Sequence, residues 1–437
     1  MTSNQQLATS NERQYQIEVH RNFRWNFFWN ALDGVFFSLG YSFVSSTTVL
    51  PVFVSHLTSS KVLIGLTTSL DSMGWLLPQL FTANYTERLA RKKPFVVTIS
   101  LISERIGYLL LALLALFVAT RSPGLALIGF FLIWTWHNLG AGLVAPAWLD
   151  MIAKVIPSQW RGRFFGVSYS IGAALGLVGA YTSRVLLDRF GYPDGFAYCF
   201  LMAFVAVLIS WVGLAQTREP PRLPRKQPVS NQEYLRRLPG VLQADVNFRN
   251  YLIGRILGIL GEMSLGFLAV YAVQRFRLPD REAGGFTAAL LIGQVIGYLA
   301  FGGLGDRWGH KRVLELVPLF MATAVGVAIR APTMVWFYLV FLLVGAGRAG
   351  YIVSGFSLIT QLSDEDNRPT YIGLTNTNLG ISRGLAPIIG GGIAGAKGYP
   401  TLFITSLFIS LAAFVVMHQW VREPREITGE YETAGGG

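Results

Sequence analysis

Apolar runs long enough to cross a bilayer recur from the first fifty residues to the end of the chain, separated by short polar stretches. A membrane-spanning helix needs about 20 largely apolar residues. Read with helical periodicity, the runs predict helices at about 27–54, 61–83, 94–119, 124–153, 163–188 and 195–216, then 249–274, 283–304, 313–331, 333–361, 370–396 and 399–421. These twelve spans form two blocks of six, 27–216 and 249–421. Residues 1–26 read as a polar cytoplasmic tail with no apolar signal-peptide core. Residues 217–248, broken by Pro220, Pro221, Pro224 and Pro228, read as a cytoplasmic linker, and 422–437 as a second cytoplasmic tail.

Composition turns a helical chain into a membrane one. The 437 residues are 52% hydrophobic and 14% charged, against roughly 25% charged in a soluble domain. The fold class is therefore an all-α polytopic membrane protein whose solvent is the lipid bilayer. Its 47 glycines suit helices that approach closely in lipid. The single cysteine, Cys199, leaves no intrachain disulfide.

A net charge of +12 would suggest a nucleic-acid partner in a soluble protein, but here the basic residues sort by loop. Arg88, Arg91, Lys92 and Lys93, then Lys154, Arg161 and Arg163, then Arg218 to Arg237, then Arg307, Lys311 and Arg312 fall in alternate loops. By the positive-inside rule those loops are cytoplasmic. With an even number of spans both termini lie inside, and topology replaces nucleic acid as the reason for the charge. Arg275, Arg277 and Arg281 are the exception on the other side.

One charged loop is distinctive. Gly302 to Arg312, GGLGDRWGHKR, sets Asp306 among Arg307, Lys311 and Arg312, with Gly302, Gly303, Gly305 and Gly309 expected to permit a tight reversal. A degenerate copy, ANYTERLARKK at Ala83 to Lys93, places Glu87 for Asp306, Arg88 for Arg307 and Lys92 for Lys311. Gly191-Tyr192-Pro193 recurs as Gly398-Tyr399-Pro400, Arg161 and Gly166 as Arg368 and Gly373, and Arg218-Glu219-Pro220 as Arg422-Glu423-Pro424. Matches in consistent order at equivalent points of two blocks indicate duplication.

Gly302, Leu304, Asp306, Arg307, Gly309 and Lys311 match the loop signature of the major facilitator superfamily, roughly G-x-L-x-D-R-x-G-R-K, with His310 departing from it. The chain resembles that family along its whole length. The resemblance implies two six-helix bundles related as parallel repeats, facing a central cavity lined by spans 1, 4, 7 and 10. It also implies secondary active transport of a small solute by alternating access, without a cofactor, by a monomer. The two charged loops would then be gating elements that brace neighbouring helices in one state and release them in the other. The plainer reading is that they only satisfy topology. The helix 5 stretch from Gly172 to Gly179 lacks the proline of the family's antiporter motif, so export by antiport is not implied.

Ionisable residues within spans are functional candidates because charge is costly in hydrocarbon. Asp33 shares a polar stripe with Asn26 and Asn30 in span 1 and reads either as cavity lining or as an interfacial cap. Glu262 lies near the middle of span 7 with Arg255 two turns back on the same face, which suits a proton carrier or a fixed ion pair. Glu104 and Arg105 are adjacent in span 3, and neighbours on a helix point about 100 degrees apart. Their partners are therefore expected elsewhere, among Asp71, Arg348 and Arg383. His137, beside Trp134, Trp136 and Asn138, reads as protonatable or as a packing element. Protons are thus a candidate coupling ion, through Glu262, Asp33 and Glu104.

Enzyme-like strings occur at Gly345–Gly350 (G-x-G-x-x-G) and Gly380–Gly384 (G-x-S-x-G), but both lie within spans rather than after a strand, as their chemistry requires. No metal-ligand cluster accompanies them. Against transport stands a non-transporting protein of the same fold, a sensor or assembly factor. Arginines within spans suit an anionic solute, and the aromatic content suits an amphipathic drug or lipid.

Overall fold

The computed structural model of the protein describes residues 3–87, 89–221, 240, 242–362 and 368–423. In chain order its helices are α1 (Ser3–Phe43), α2 (Val49–Leu57), α3 (Lys61–Glu87), α4 (Lys93–Ser100), α5 (Ile106–Phe117), α6 (Pro123–Val155), α7 (Ser158–Phe190) and α8 (Asp194–Ala215). There follow α9 (Val246–Gly261), α10 (Leu265–Phe276), α11 (Arg281–Trp308), α12 (His310–Arg330), α13 (Val335–Leu362) and α14 (Arg368–Gln419). A π-helical turn, Leu101–Arg105, joins α4 to α5, and a 3₁₀ turn, Glu262–Ser264, joins α9 to α10.

The order agrees with twelve crossings: α1–α2, α3, α4–α5, α6, α7 and α8, then α9–α10, α11, α12, α13 and the two arms of α14. Nine helical stretches among the described residues are long and apolar enough to cross a membrane, one of them, Leu374–Gln419, holding both arms of α14. Large apolar side chains such as Leu132, Leu299 and Phe408 are left exposed, while Asn26, Asp33, Glu104 and Arg105 are buried. That inverted distribution suits lipid as the solvent.

Several boundaries differ from expectation for local reasons. Residues 3–33 contain no glycine or proline, so nothing interrupts α1 there and the polar tail is helical from Ser3 on. Span 1 breaks between α1 and α2 at Ser45, Ser46, Thr47 and Thr48, whose hydroxyls compete with the helical ladder; Ser45 Oγ and Thr47 Oγ1 lie 3.3 Å apart. Gly191 (φ 64°) and Gly398 (φ 83°) make the corners of the repeated Gly-Tyr-Pro motif, so the repeat seen in the sequence is a repeated turn that favours glycine.

The chain divides into two compact units. One comprises Met1–Val44 and Gly74–Pro228, the other Ser45–Met73 and Val229–Gly437. In the first, α1 packs on α7 and α8; in the second, α9 packs on α14 and α11 on α13. The α11–α13 contact is backbone to backbone, since a Cβ on Gly345 would strike the Leu290 carbonyl and one on Gly293 that of Leu342. The G-x-G-x-x-G string of α13 is therefore a close helix contact.

The two units repeat one tie, between Asn26 within α1 and Arg218 beyond α8, and between Asn247 at the start of α9 and Arg422 beyond α14. Asn26 accepts from Arg218 N at 2.8 Å and donates to Arg218 O at 3.0 Å. Asn247 accepts from Arg422 N at 2.7 Å and donates to Arg422 O at 3.1 Å.

Candidate functional site

In the first unit three buried charged residues converge. The π turn brings Glu104 and Arg105 inward together, and such turns often mark functional sites in helices. Arg105 Nη1 pairs directly with the Glu104 carboxylate, which corrects the expectation that neighbours in sequence do not meet. The widened turn and the long guanidinium arm let Arg105 reach back. Its Nη2 lies 3.8 Å from Asp33 Oδ1 and donates to Ser210 Oγ at 3.2 Å, while Ser210 Oγ donates to Asp33 Oδ1 at 2.6 Å. Two carboxylates thus share one guanidinium, with side-chain exposures of 6% for Asp33, 7% for Glu104 and 3% for Arg105. Asp71 instead accepts from Ser46 Oγ at 2.8 Å.

The other polar residues nearby are structural ties. Asn30 accepts from Thr217 Oγ1 at 3.1 Å, so the Asn26–Asn30 stripe faces the end of α8 and not a cavity. The His137 ring stacks on Trp134 with centroids 5.0 Å apart and 6° between planes, lies 4.4 Å from Tyr108, and has Nδ1 3.0 Å from the Glu104 carbonyl. That carbonyl belongs to the π turn, so His137 supports the turn.

The second unit gathers the opposite sign. The helix breaks at Glu262, and Ser406 Oγ donates to the Gly261 carbonyl freed by the break. Arg383, Arg348 and Arg255 lie within electrostatic reach of Glu262, which groups three arginines and one glutamate from α9, α13, α14 and the turn after α9. Arg348 and Arg383 are half-buried. Arg255 is 4% exposed, and among the described residues its Nε and Nη1 are buried without a hydrogen-bond partner, as is the Tyr251 hydroxyl. Its guanidinium lies 4.2 Å from the centroid of the Tyr351 ring.

The expected gating loop is a corner. α11 continues through Gly302, Leu304 and Arg307 to Trp308, and α12 begins at His310, so only Gly309 (φ 91°) turns the chain. Of the four glycines expected to make the reversal, Gly309 alone has a left-handed backbone; Gly302 and Gly303 sit in open helix with nothing near an added Cβ. His310, which departs from the family signature, has Nδ1 3.2 Å from Ser354 Oγ. Lys311 pairs with Glu315 at 2.5 Å and donates to the His418 carbonyl at 3.3 Å. Arg307 and Arg312 are exposed. Arg88 lies outside the described residues, and so do the side chains of Glu87 and Asp306.

In the degenerate copy Lys92 pairs with Asp150 at 3.0 Å. Glu219 accepts from the backbone N–H of Lys92 at 3.0 Å and of Lys93 at 2.7 Å, and from Lys154 at 3.3 Å. Its repeat partner Glu423 lies beside Gly309, where a Cβ would come within 3.0 Å of Oε1. Both carboxylates of the Arg-Glu-Pro repeats therefore sit at helix starts, of α4 and α12, where the backbone dipole favours an anion. Sequence reasoning singled out the tripeptides as repeats and missed these glutamates as site residues. Glu315 was also missed, although its position four residues after Lys311 is an ion-pair spacing.

Residues 32–253 and 251–434 both match the family model described as Major Facilitator Superfamily. The chain belongs to the Major Facilitator Superfamily. Among curated relatives of this superfamily member, the niacin transporter NiaP of Acinetobacter baylyi is 22% identical over 165 residues, 38% of each chain. The 3-(3-hydroxy-phenyl)propionate transporter of Escherichia coli is 27% identical over 173 residues, 39% of this chain and 42% of that one. The matched stretches thus span about two-fifths of those relatives. A D-xylose-proton symporter structure superposes with a TM-score of 0.71 at 15% identity, covering 92% of this chain and 99% of that one, a likeness that concerns the fold.

Proposed function

We propose that this superfamily member is a secondary active transporter that moves a small solute across the cytoplasmic membrane by alternating access, with both termini cytoplasmic, and that it is driven by protons. The observation that carries the proposal is the pair of buried carboxylates, Asp33 and Glu104, on the one guanidinium of Arg105. With both acids ionised the cluster carries a net negative charge in the membrane; with one proton it is neutral. Such a pair titrates as a unit and supplies a site that loads and unloads a proton as its exposure alternates. Glu262, surrounded by three arginines, is the weaker proton candidate and belongs with the solute. The relatives support transport by their names, and niacin and 3-(3-hydroxyphenyl)propionate are both aromatic carboxylic acids.

The charged corners at Lys92 and Gly309 are read as hinge elements of the same cycle. Screening the purified protein for solutes that raise its melting temperature, then measuring uptake into proteoliposomes with a pH gradient imposed in either direction, tests the proposal. Gradient-driven uptake of a stabilising solute is expected. Uptake that ignores the gradient contradicts proton coupling, and no uptake of any stabilising solute favours a non-transporting role.

A further inference from the structure

Resting on the transport reading above, the buried arginine of α9 says what kind of solute is carried. Arg255 is 4% exposed and leaves Nε and Nη1 buried without a hydrogen-bond partner among the described residues. One turn back on the same helix face, the Tyr251 hydroxyl is also buried and without a partner. The guanidinium lies 4.2 Å from the centroid of Tyr351 and 6.0 Å from that of Tyr251, which orients the plane and leaves the in-plane donors for another group. Gly355 adds no side chain there: a Cβ on it would come within 3.6 Å of Nη1.

A buried cation with open donors is strongly unfavourable unless an acceptor arrives. Glu262 does not close these donors, and it is itself under the influence of Arg383 and Arg348. Three arginines against one carboxylate leave the cluster short of negative charge. Away from those charges the surroundings are apolar, since Tyr251 and Tyr351 belong to a core with Phe248, Leu252, Leu314 and Val317. An anion that suits both the donors and these apolar neighbours has a planar carboxylate head and an apolar body.

We infer that Arg255 and the Tyr251 hydroxyl bind the carboxylate of an organic acid with an apolar body, and that this acid is the transported solute. A guanidinium presents paired donors to a carboxylate, which an ammonium cannot reproduce.

Equilibrium binding to the purified full chain at fixed pH tests this, with benzoate and 3-phenylpropionate as probes against benzamide, 3-phenylpropanamide and inorganic phosphate. The acids bind and stabilise the protein, and the isosteric amides and phosphate do not. Arg255→Lys weakens acid binding by about tenfold or more, and Tyr251→Phe weakens it in the same direction while keeping the ring. If Arg255→Lys fails to fold, Tyr251→Phe decides: weaker acid binding supports the site, and unchanged binding overturns it. The inference is also overturned if neither acid binds, if the amides bind as well as the acids, if phosphate displaces the acid, or if Arg255→Lys binds the acids like the parent. Such a failure leaves proton-driven transport standing on Asp33 and Glu104. Acid binding without gradient-driven uptake would instead overturn transport and leave the site.

Discussion

Asp33, Glu104 and Arg105 show how little separates a structural ion pair from a proton site. One acid on one guanidinium would be a closed pair that only fixes packing; a second acid on the same guanidinium leaves one negative charge in excess. Ser210 joins the group by donating to Asp33 while accepting from Arg105. Replacing Ser210 by alanine should therefore lower stability by about 1 kcal/mol, read by thermal unfolding in detergent, without removing the excess acid. His137 gives the contrasting case. Its stacking on Trp134 and its contact with the Glu104 carbonyl make it a support, so His137→Phe should cost about 1 kcal/mol and leave the pH profile of uptake unchanged. A shifted profile would show that the imidazole itself carries protons.

At the scale of elements the chain turns on a few special residues. Gly309 holds φ 91° between α11 and α12, with Glu423 against it. Gly309→Ala should cost about 1–3 kcal/mol in strain, seen as a lower melting temperature, whereas Gly303→Ala, in open helix, should be neutral or slightly stabilising. Glu219 closes the start of α4 and faces the buried Lys154 ammonium. Glu219→Ala leaves that charge only its longer contact with Asp150, at 3.8 Å, and should cost about 3 kcal/mol; an unchanged unfolding midpoint would show that Asp150 alone suffices.

These elements also mark what was legible in the sequence. The spans, the duplication and the Gly-Tyr-Pro corners are written in hydropathy and in glycine, which act locally. The π turn is not. Nothing in LISER announces the extra residue that turns Glu104 and Arg105 inward together, so their pairing was misread from ideal helical spacing. The Asn26–Asn30 stripe was visible, but its partner, the end of α8, is a tertiary fact. Arg255 was legible as a buried charge, and its open donors appear only once the neighbours are in place.

Across the whole molecule, duplication has been kept where it holds the fold and lost where it does chemistry. The asparagine ties at Arg218 and Arg422 and the glutamates beside the two charged corners repeat. The buried charges do not: the first unit carries two acids on one arginine, the second three arginines around one glutamate. On the reading proposed above, the proton belongs to the first cluster and the anionic solute to the second. The most direct test is uptake of a stabilising solute into proteoliposomes under an imposed pH gradient, with protein-free vesicles as background, for the parent chain and for Glu104→Gln, which leaves Asp33 and Arg105 as a closed pair. The account predicts gradient-driven accumulation by the parent and its loss in Glu104→Gln, with solute binding retained. Accumulation by Glu104→Gln with undiminished response to the gradient would contradict it.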